Sequence, residues 1–507
     1  MSRLETPPDH VTPYDRFAWS DTVVEHLLAS GEHQRELIAY FGEAEYNVLA
    51  PLARQAAATA KTADAPHVFI VPGIMGSQLG LLRPAPLPHD VLWIDPVDIS
   101  IGNLSLLRLP GEAKIVSLGV VLFTYLRLKL HLRIAGFAPV FYDYDWRLGV
   151  DDVGRDLAER VRAASGPVMI VAHSMGGLVS RAALACDGMK KVERVVLLGT
   201  PNSGSYAPVQ ALRGVYAVVR KIARLAAPDQ SAEALAADVF STFPSLYHLL
   251  PPPGFDSALD FFDASAWPAS GPQPHAALLA NARTLSERLA SPDSRFTNVV
   301  GVGQETVTRV SPQKDGFVYT ITRHGDGTVP LACAALPGAQ TYYTKVAHSD
   351  LARDADVARA IADVLRTGAT QRLETKWSRG GNAEARISDR ELRRTHTEKV
   401  DWVHLEPDAR QDFLRNLNDP PHLKLRVPKP QESRSKSAAA SAKRANASTR
   451  AHSKASKKRA TLRKPKPRHK PRKTPSQSAA ASAKRRKATP RALSKAPRKR
   501  TTPRKRK

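Results

Sequence analysis

The feature that most restricts the fold of this chain is a set of short runs that are apolar at every position, such as Val168-Met-Ile-Val-Ala172 and Val195-Val-Leu-Leu198. A half-exposed strand alternates apolar and polar residues. A run without alternation is a strand covered on both faces, as in a parallel sheet between helices. Candidate strands are His67–Val71 and residues 139–142, 168–172, 194–198, 297–302 and 341–346. Segments of helical composition separate them, so an α/β fold with a parallel-dominated sheet is expected. Between 201 and 291 the alternation gives way to a stretch rich in Ala, Leu and Pro, including Pro251-Pro252-Pro253. That stretch reads as a mostly helical insertion, a lid over one end of the sheet.

Charge divides the chain sharply. Residues 431–507 hold 29 Lys and Arg against one acid, Glu432, whereas the first 430 residues hold 46 basic and 47 acidic side chains. The formal charge of +27 therefore belongs to the tail, and a uniformly basic nucleic-acid-binding body is excluded. The tail has no Phe, Tyr or Trp, and it repeats Ser-Ala-Ala-Ala-Ser-Ala-Lys-Arg from Ser437 and from Ser478. So little apolar area cannot offset the entropy of ordering, and disorder is expected there. The expected organisation is a helical N-terminal extension over 1–65, its helix interrupted at Pro51, an α/β domain over 66–366, an appendage of unassigned structure over 367–430, and the tail. Cys186 and Cys333 sit among apolar neighbours and read as buried free thiols. The polar start of the chain reads as lacking a secretory signal, and the apolar stretch 118–126 is too short to span a bilayer. The expectation is a cytoplasmic protein without a transmembrane segment, with the nucleoid or a membrane surface as the two places to which such a tail would direct it.

The most informative local signal is Val168-Met-Ile-Val-Ala-His-Ser174-Met-Gly-Gly-Leu-Val-Ser-Arg-Ala-Ala-Leu184. A buried strand runs straight into a helix with a serine at the corner. A nucleophile on so tight a turn needs small residues two before and two after it, here Ala172 and Gly176. The N–H of Met175 then lies at a helix N-terminus, where it can stabilise a negative oxygen.

A serine hydroxyl needs a base, and the base needs an orienting acid. On a sheet of this kind the chain order is Ser, acid, His. Downstream stand Asp326, between two glycines, and His348, which follows the last candidate strand. His324, close to Asp326, is the second candidate base, and His173 is expected to point away from the base position. A second oxyanion donor is expected in the glycine-rich loop after the first strand, from the N–H of Ile74 or else of Met75. Phe240, Phe243, Leu246, Tyr247, Leu249 and Leu250 form a dense apolar cluster, readable either as a helix packed on the core or as the lining of an acyl-chain channel. In the second reading Phe243 and Leu246, with Met75, touch substrate.

Six motifs in order, Val71-Pro-Gly-Ile-Met-Gly-Ser77, Tyr144-Asp-Trp-Arg147, Ala172-His-Ser-Met-Gly-Gly177, Gly199-Thr-Pro-Asn-Ser-Gly204, Gly325-Asp-Gly-Thr-Val-Pro330 and His348-Ser-Asp-Leu351, resemble the lecithin:cholesterol acyltransferase family of α/β-hydrolases. The resemblance covers about residues 66–366. It implies a Ser174–Asp326–His348 triad and an acyl ester, often of a lipid, as donor. The tail resembles the lysine-rich tails of linker histones. Asp145-Trp146-Arg147 reads as structural, an ion pair under the sheet edge.

The expected function is cleavage of a lipid-like acyl ester through an acyl-serine intermediate, with water or an alcohol as acceptor. No metal and no organic cofactor is expected, because no ligand cluster of suitable spacing stands in the sequence. Two other readings are a polyanion-binding protein on an inactive hydrolase scaffold and a hydrolase of an intracellular polyester. With no aromatics to stack on bases, the tail is expected to bind a polyanion without sequence preference, whether DNA, RNA, polyphosphate or an anionic membrane surface.

Overall fold

A computed structural model describes Asp15 and residues 20–59, 65–255, 259–378 and 383–418. The tail, and every expectation placed on it, lies outside the described residues. In chain order the strands are β1 (His67–Val71), β2 (Ser77–Leu81), β3 (Asp90–Trp93), β4 (Val116–Val120), β5 (Ala138–Phe141), β6 (Val168–His173), β7 (Val192–Leu198), β8 (Phe296–Gly301), β9 (Thr306–Gln313), β10 (Gly316–Thr322), β11 (Gln340–Thr344) and β12 (Ala385–Ser388). Six of them form one sheet in the order β11-β8-β7-β6-β1-β5. Every pairing in it is parallel. All residues of β6 and of β8 are buried, so both faces of the sheet are covered there. These six strands are the candidate strands of the sequence, with ends shifted by at most two residues.

The covering helices carry their own sequence logic. The helix Val150–Ala163 buries Val150, Val153, Gly154, Leu157, Ala158 and Val161, one stripe at helical spacing. Asp151 and Asp152 occupy its first turn and Arg160 and Arg162 its last, each complementing the helix dipole. It packs against Met175–Leu184. The helix Ala355–Thr367 starts at Asp354, whose carboxylate accepts the Val357 N–H at 2.9 Å.

Two smaller antiparallel sheets decorate this core, β3-β2-β4 and β12-β10-β9. The first is inserted between β1 and β5. In the second, β9 and β10 form a hairpin after β8, and β12 from residues 385–388 adds to the edge of β10. Between β7 and β8 the chain is helical, with Ala207–Leu212, Ala217–Leu225, Ala232–Asp238, Pro244–His248 and Ala276–Ala282. At the N-terminus three helices, Asp21–Ser30, Gln34–Phe41 and Glu43–Ala58, pack together, the last also on the helix Leu122–Ile134. Glu43–Ala58 continues through Pro51, contrary to the expected interruption. Pro51 and Asn47, whose carbonyl the missing N–H would have met, both lie on the exposed face, where water can take that carbonyl. The opposite face, with Leu49, Ala50, Ala53 and Ala56, holds the helix in place.

The order of the sheet reverses about β1, which lies between β6 and β5 although the chain visits β5 first. Loops leaving β1 and β6 diverge at such a switch point and open a crevice at the carboxyl edge of the sheet. This is an α/β-hydrolase fold, and the candidate residues stand at that crevice.

Candidate active site

The strand β6 ends at His173, and the helix Met175–Leu184 begins one residue later. Ser174 makes the corner with φ 54° and ψ −126°, a conformation a non-glycine residue adopts only when its surroundings force it. The closeness of the fit shows at Gly176, where a Cβ would lie 2.4 Å from the Pro72 carbonyl oxygen and 2.5 Å from that of Val71. A small residue at this position lets the helix start against the end of β1.

Three side chains from separate loops meet at the corner. His348 Nε2 lies 2.9 Å from Ser174 Oγ, and His348 Nδ1 lies 2.7 Å from Asp326 Oδ2. A carboxylate only accepts, so Nδ1 carries the proton and the neutral ring leaves Nε2 free to accept from the serine hydroxyl. The other oxygen, Asp326 Oδ1, accepts the N–H groups of Thr328 at 2.9 Å and Val329 at 2.7 Å. The His348 N–H donates to the Asp326 carbonyl at 2.8 Å, so main chain as well as side chain fixes the pair. Room for it exists because position 199 is glycine, where a Cβ would fall 3.0 Å from both Asp326 Oδ2 and His348 Nδ1. His324 stands apart, lining a different cavity with Thr308, Thr320 and Trp377.

His173 enters the site in a way its position in the strand does not announce. Its Nε2 lies 3.0 Å from the His348 carbonyl oxygen, an acceptor, so Nε2 carries the proton. Nδ1 then accepts from Tyr125 O–H at 3.0 Å, and that oxygen accepts the Gly73 N–H at 2.9 Å. Burial, with the neighbouring His348 as a second cause, pushes the His173 pKa down to about 3. It therefore stays neutral beside the site, and its ring links the backbone of His348 to the loop after β1.

That loop is held on several sides. Gly76 N–H closes the turn 73–76 on the Gly73 carbonyl at 3.1 Å. Tyr144 O–H donates to the Pro72 carbonyl at 2.7 Å, Trp93 Nε1–H to that of Met75 at 3.0 Å, and Trp146 Nε1–H to that of Ser77 at 3.0 Å. The motif Tyr144-Asp-Trp-Arg147 thus serves the loop through its aromatics, while Arg147 clamps Asp145 with two bonds of 2.9 and 2.6 Å. Met75 adopts φ 63° in this turn. Ile74, Met75, Ser174 and His348 line one cavity, and Met175 lies buried at the first helical position.

The cavity walls are mostly apolar, with Phe123, Phe240, Leu246 and Leu249 among them. Leu246 faces it, but Phe243 does not; fully buried, Phe243 packs its ring on Trp146 at 5.6 Å and on Phe240 at 5.8 Å. The two residues proposed together as substrate contacts are thus separated, one on the wall and one in the core behind it. Arg353, Leu414, Arg415 and Leu417 also line the cavity, and no local sequence pattern marks them. The last three come from the segment 367–430, whose helix Pro407–Arg415 packs on Gln34–Phe41.

Both arginines meet Glu45, which is 1 % exposed. Glu45 Oε1 accepts from Arg127 Nε at 2.5 Å. Oε2 accepts from Arg127 Nη2 at 2.6 Å, from Arg353 Nη2 at 2.9 Å and from Arg415 Nη2. Burial, followed by the charge of Arg353, holds the Arg415 guanidinium below its ordinary pKa. Elsewhere, Asp15, Asp90 and Asp98 lie close enough to share a cation, but Arg83 already sits on Asp15 at 2.9 Å and Asp90 at 3.0 Å. No helix among the described residues is long and apolar enough to cross a membrane.

Residues 155–242, which include β6, Ser174 and β7, match the model of a family described as a PGAP1-like alpha/beta domain. Among solved structures, the mature form of the Bacillus licheniformis lipase BlEst2 is similar at 15 % identity and a TM-score of 0.32, covering 61 % of this chain and 95 % of that one. Its propeptide form aligns at 15 % identity and a TM-score of 0.33, over 63 % of this chain and 54 % of the other. The Tle4-Tli4 complex aligns at 14 % identity and a TM-score of 0.38, over 60 % and 98 %. No curated protein matches the sequence.

Proposed function

We propose that this chain is a serine-dependent acyl-ester hydrolase or O-acyltransferase acting on lipid-like esters. The observation that carries this reading is the unbroken hydrogen-bonded line Ser174 Oγ–His348 Nε2, His348 Nδ1–Asp326 Oδ2, at 2.9 and 2.7 Å, opening on an apolar cavity. In the first step Ser174 Oγ attacks the ester carbonyl while its proton passes to His348 Nε2. The oxygen that becomes negative is stabilised by the N–H groups of Met175 and Ile74, with Met75 as the second choice for the loop donor. His348 returns the proton to the departing alcohol oxygen, leaving acyl-Ser174. Water or an alcohol then enters with His348 as base and the steps reverse. Asp326 keeps the imidazole in the required tautomer throughout.

The order of the six motifs, like that of the lecithin:cholesterol acyltransferase family, supports an ester of lipid type. The body 66–366 is the catalytic unit in this reading, with 201–291 as its lid, and the tail 431–507 is an anchor for a polyanion. A soluble fluorophosphonate probe tests the proposal. Labelling that disappears in Ser174→Ala supports it, and absence of labelling in the wild-type protein favours an inactive scaffold. A chain-length series of p-nitrophenyl esters, run with and without an alcohol acceptor, then separates hydrolysis from acyl transfer.

A further inference from the structure

We infer that Arg353 and Arg415 form an oxyanion subsite of the catalytic cavity, one that holds a phosphate or carboxylate carried by the substrate. The inference rests on the hydrolase reading for its purpose, and on the arginine cluster itself for its chemistry.

Three guanidinium groups, those of Arg127, Arg353 and Arg415, converge on the single buried carboxylate of Glu45. A carboxylate offers about four lone-pair directions. Of the four bonds it accepts, Oε1 takes one, from Arg127, and Oε2 takes three, one from each arginine, so Oε2 is shared beyond its two directions. Arg353 gains one more partner in Asp350 at 3.3 Å, but Asp350 is 53 % exposed and solvent weakens that pair. Arg353 Nε and Arg415 Nε are both shut from solvent and have no acceptor among the described residues. Asp350 and Asp412 stand beside Arg353 and Arg415, and these two arginines, unlike Arg127, line the cavity of Ser174 and His348. Arg127, which makes two bonds to Glu45, does not line it.

An oxyanion fits this arrangement by geometry as well as by charge. Guanidinium groups present paired N–H donors that match two oxygens of a phosphate or carboxylate. The rest of the wall is apolar, so the cavity as a whole suits an amphiphile with one anionic group and an ester. The cluster also explains a role for the segment beyond the triad. Arg415 reaches the cavity from the end of the helix Pro407–Arg415, so that segment contributes to recognition while contributing nothing to the acid–base chemistry.

The test is a calorimetric titration of the full chain carrying Ser174→Ala, which binds without turnover. Three ligands serve: dihexanoyl phosphatidic acid for the phosphate, monohexyl glutarate for the carboxylate, and dihexanoylglycerol as the neutral control. At least one anionic ligand should bind about 10-fold or more tightly than the neutral one. Adding Arg353→Gln and Arg415→Gln together should remove that advantage, and Arg415→Lys alone should keep most of it. An advantage for phosphate alone or carboxylate alone supports the subsite and names the group. Equal binding of all three ligands by the parent overturns it, as does an advantage that survives in the double variant. If the double variant fails to fold, the single Arg415→Gln variant decides, with an advantage reduced by about 3-fold or more expected. Because no turnover is needed, these results stand whether or not the fluorophosphonate labels Ser174, so loss of the hydrolase reading and loss of the subsite are separate outcomes.

Discussion

The Ser174–His348–Asp326 line and the cluster of Glu45 with its three arginines reach the same cavity, the first through Ser174 and His348 and the second through Arg353 and Arg415, yet they are built differently. In the first, each polar group has its partner: Ser174 Oγ with His348 Nε2, His348 Nδ1 with Asp326 Oδ2, and Asp326 Oδ1 with two main-chain N–H groups. In the second, three guanidinium groups crowd onto one carboxylate oxygen, Glu45 Oε2, and Arg353 Nε and Arg415 Nε have no acceptor among the described residues. A satisfied network holds its members in one geometry, which is what moving a proton requires. The difference is one of partner counting: a fully paired line on one side of the cavity and a crowded carboxylate on the other.

The largest expected effect breaks the first site and spares the fold. Ser174→Ala and His348→Ala should each lower kcat by about 10⁴ or more, and Asp326→Asn nearly as much, with melting temperature close to that of the parent. His324→Ala should leave kcat close to that of the parent, since that residue faces a different cavity. An inactive His324→Ala beside an active His348→Ala would overturn the base assignment.

Glu45→Gln should do the reverse. It removes the counter-charge of three guanidinium groups, and a loss of about 3–5 kcal/mol in stability is expected. Denaturant unfolding measures it; a loss below about 1 kcal/mol would show that the cluster is screened well enough not to need its carboxylate.

A third, smaller effect distinguishes a neutral buried group from a charged one. His173 and His248 have pKa values pushed down to about 3 and about 4, burial being the first cause in both, whereas an unfolded histidine titrates near 6.5. Between pH 6.5 and about 4 the unfolded chain binds more protons than the folded one, so these groups withdraw stability as pH falls and are without effect above it. The share of His173 is on the order of a few kcal/mol by pH 4. Carboxylates act in the same direction, so the informative quantity is the difference between parent and His173→Gln. The variant should lose less stability between pH 7 and pH 4.5; equal slopes would mean that His173 is not held neutral.

The smallest effect concerns the apolar wall. Leu246→Ala should shift chain-length preference toward longer esters by a few-fold, about one or two methylenes' worth of binding. Phe243→Ala, behind the wall on Trp146, should lower the melting temperature and leave the preference where it is. Matching shifts in both variants would place Phe243 in the substrate path after all.

By itself the sequence determined whatever depends on neighbours within about ten residues. Strand β6 was readable because burial on both faces leaves a run without polar residues, whereas β11, Gln-Thr-Tyr-Tyr-Thr at the sheet edge and only partly buried, was marked by its β-branched and aromatic residues. Ser174 was readable because a serine between a buried strand and a helix, with Ala172 and Gly176 around it, is a local pattern. Asp326 and His348 followed from chain order. The hairpin β9–β10 also had a signal, the partial alternation in Thr306–Gln313 before Lys314-Asp315-Gly316, although the apolar runs on either side are stronger. Only the tertiary structure decided that the helix Glu43–Ala58 runs on through Pro51, because that depends on which face meets solvent. It alone separated Leu246 from Phe243, three positions apart on opposite sides of the cavity wall. It alone brought Arg127, Arg353 and Arg415 to Glu45 across 82, 308 and 370 residues of chain. A single arginine in a sequence looks like any exposed arginine; its charge becomes meaningful only where packing removes the water and counts the partners.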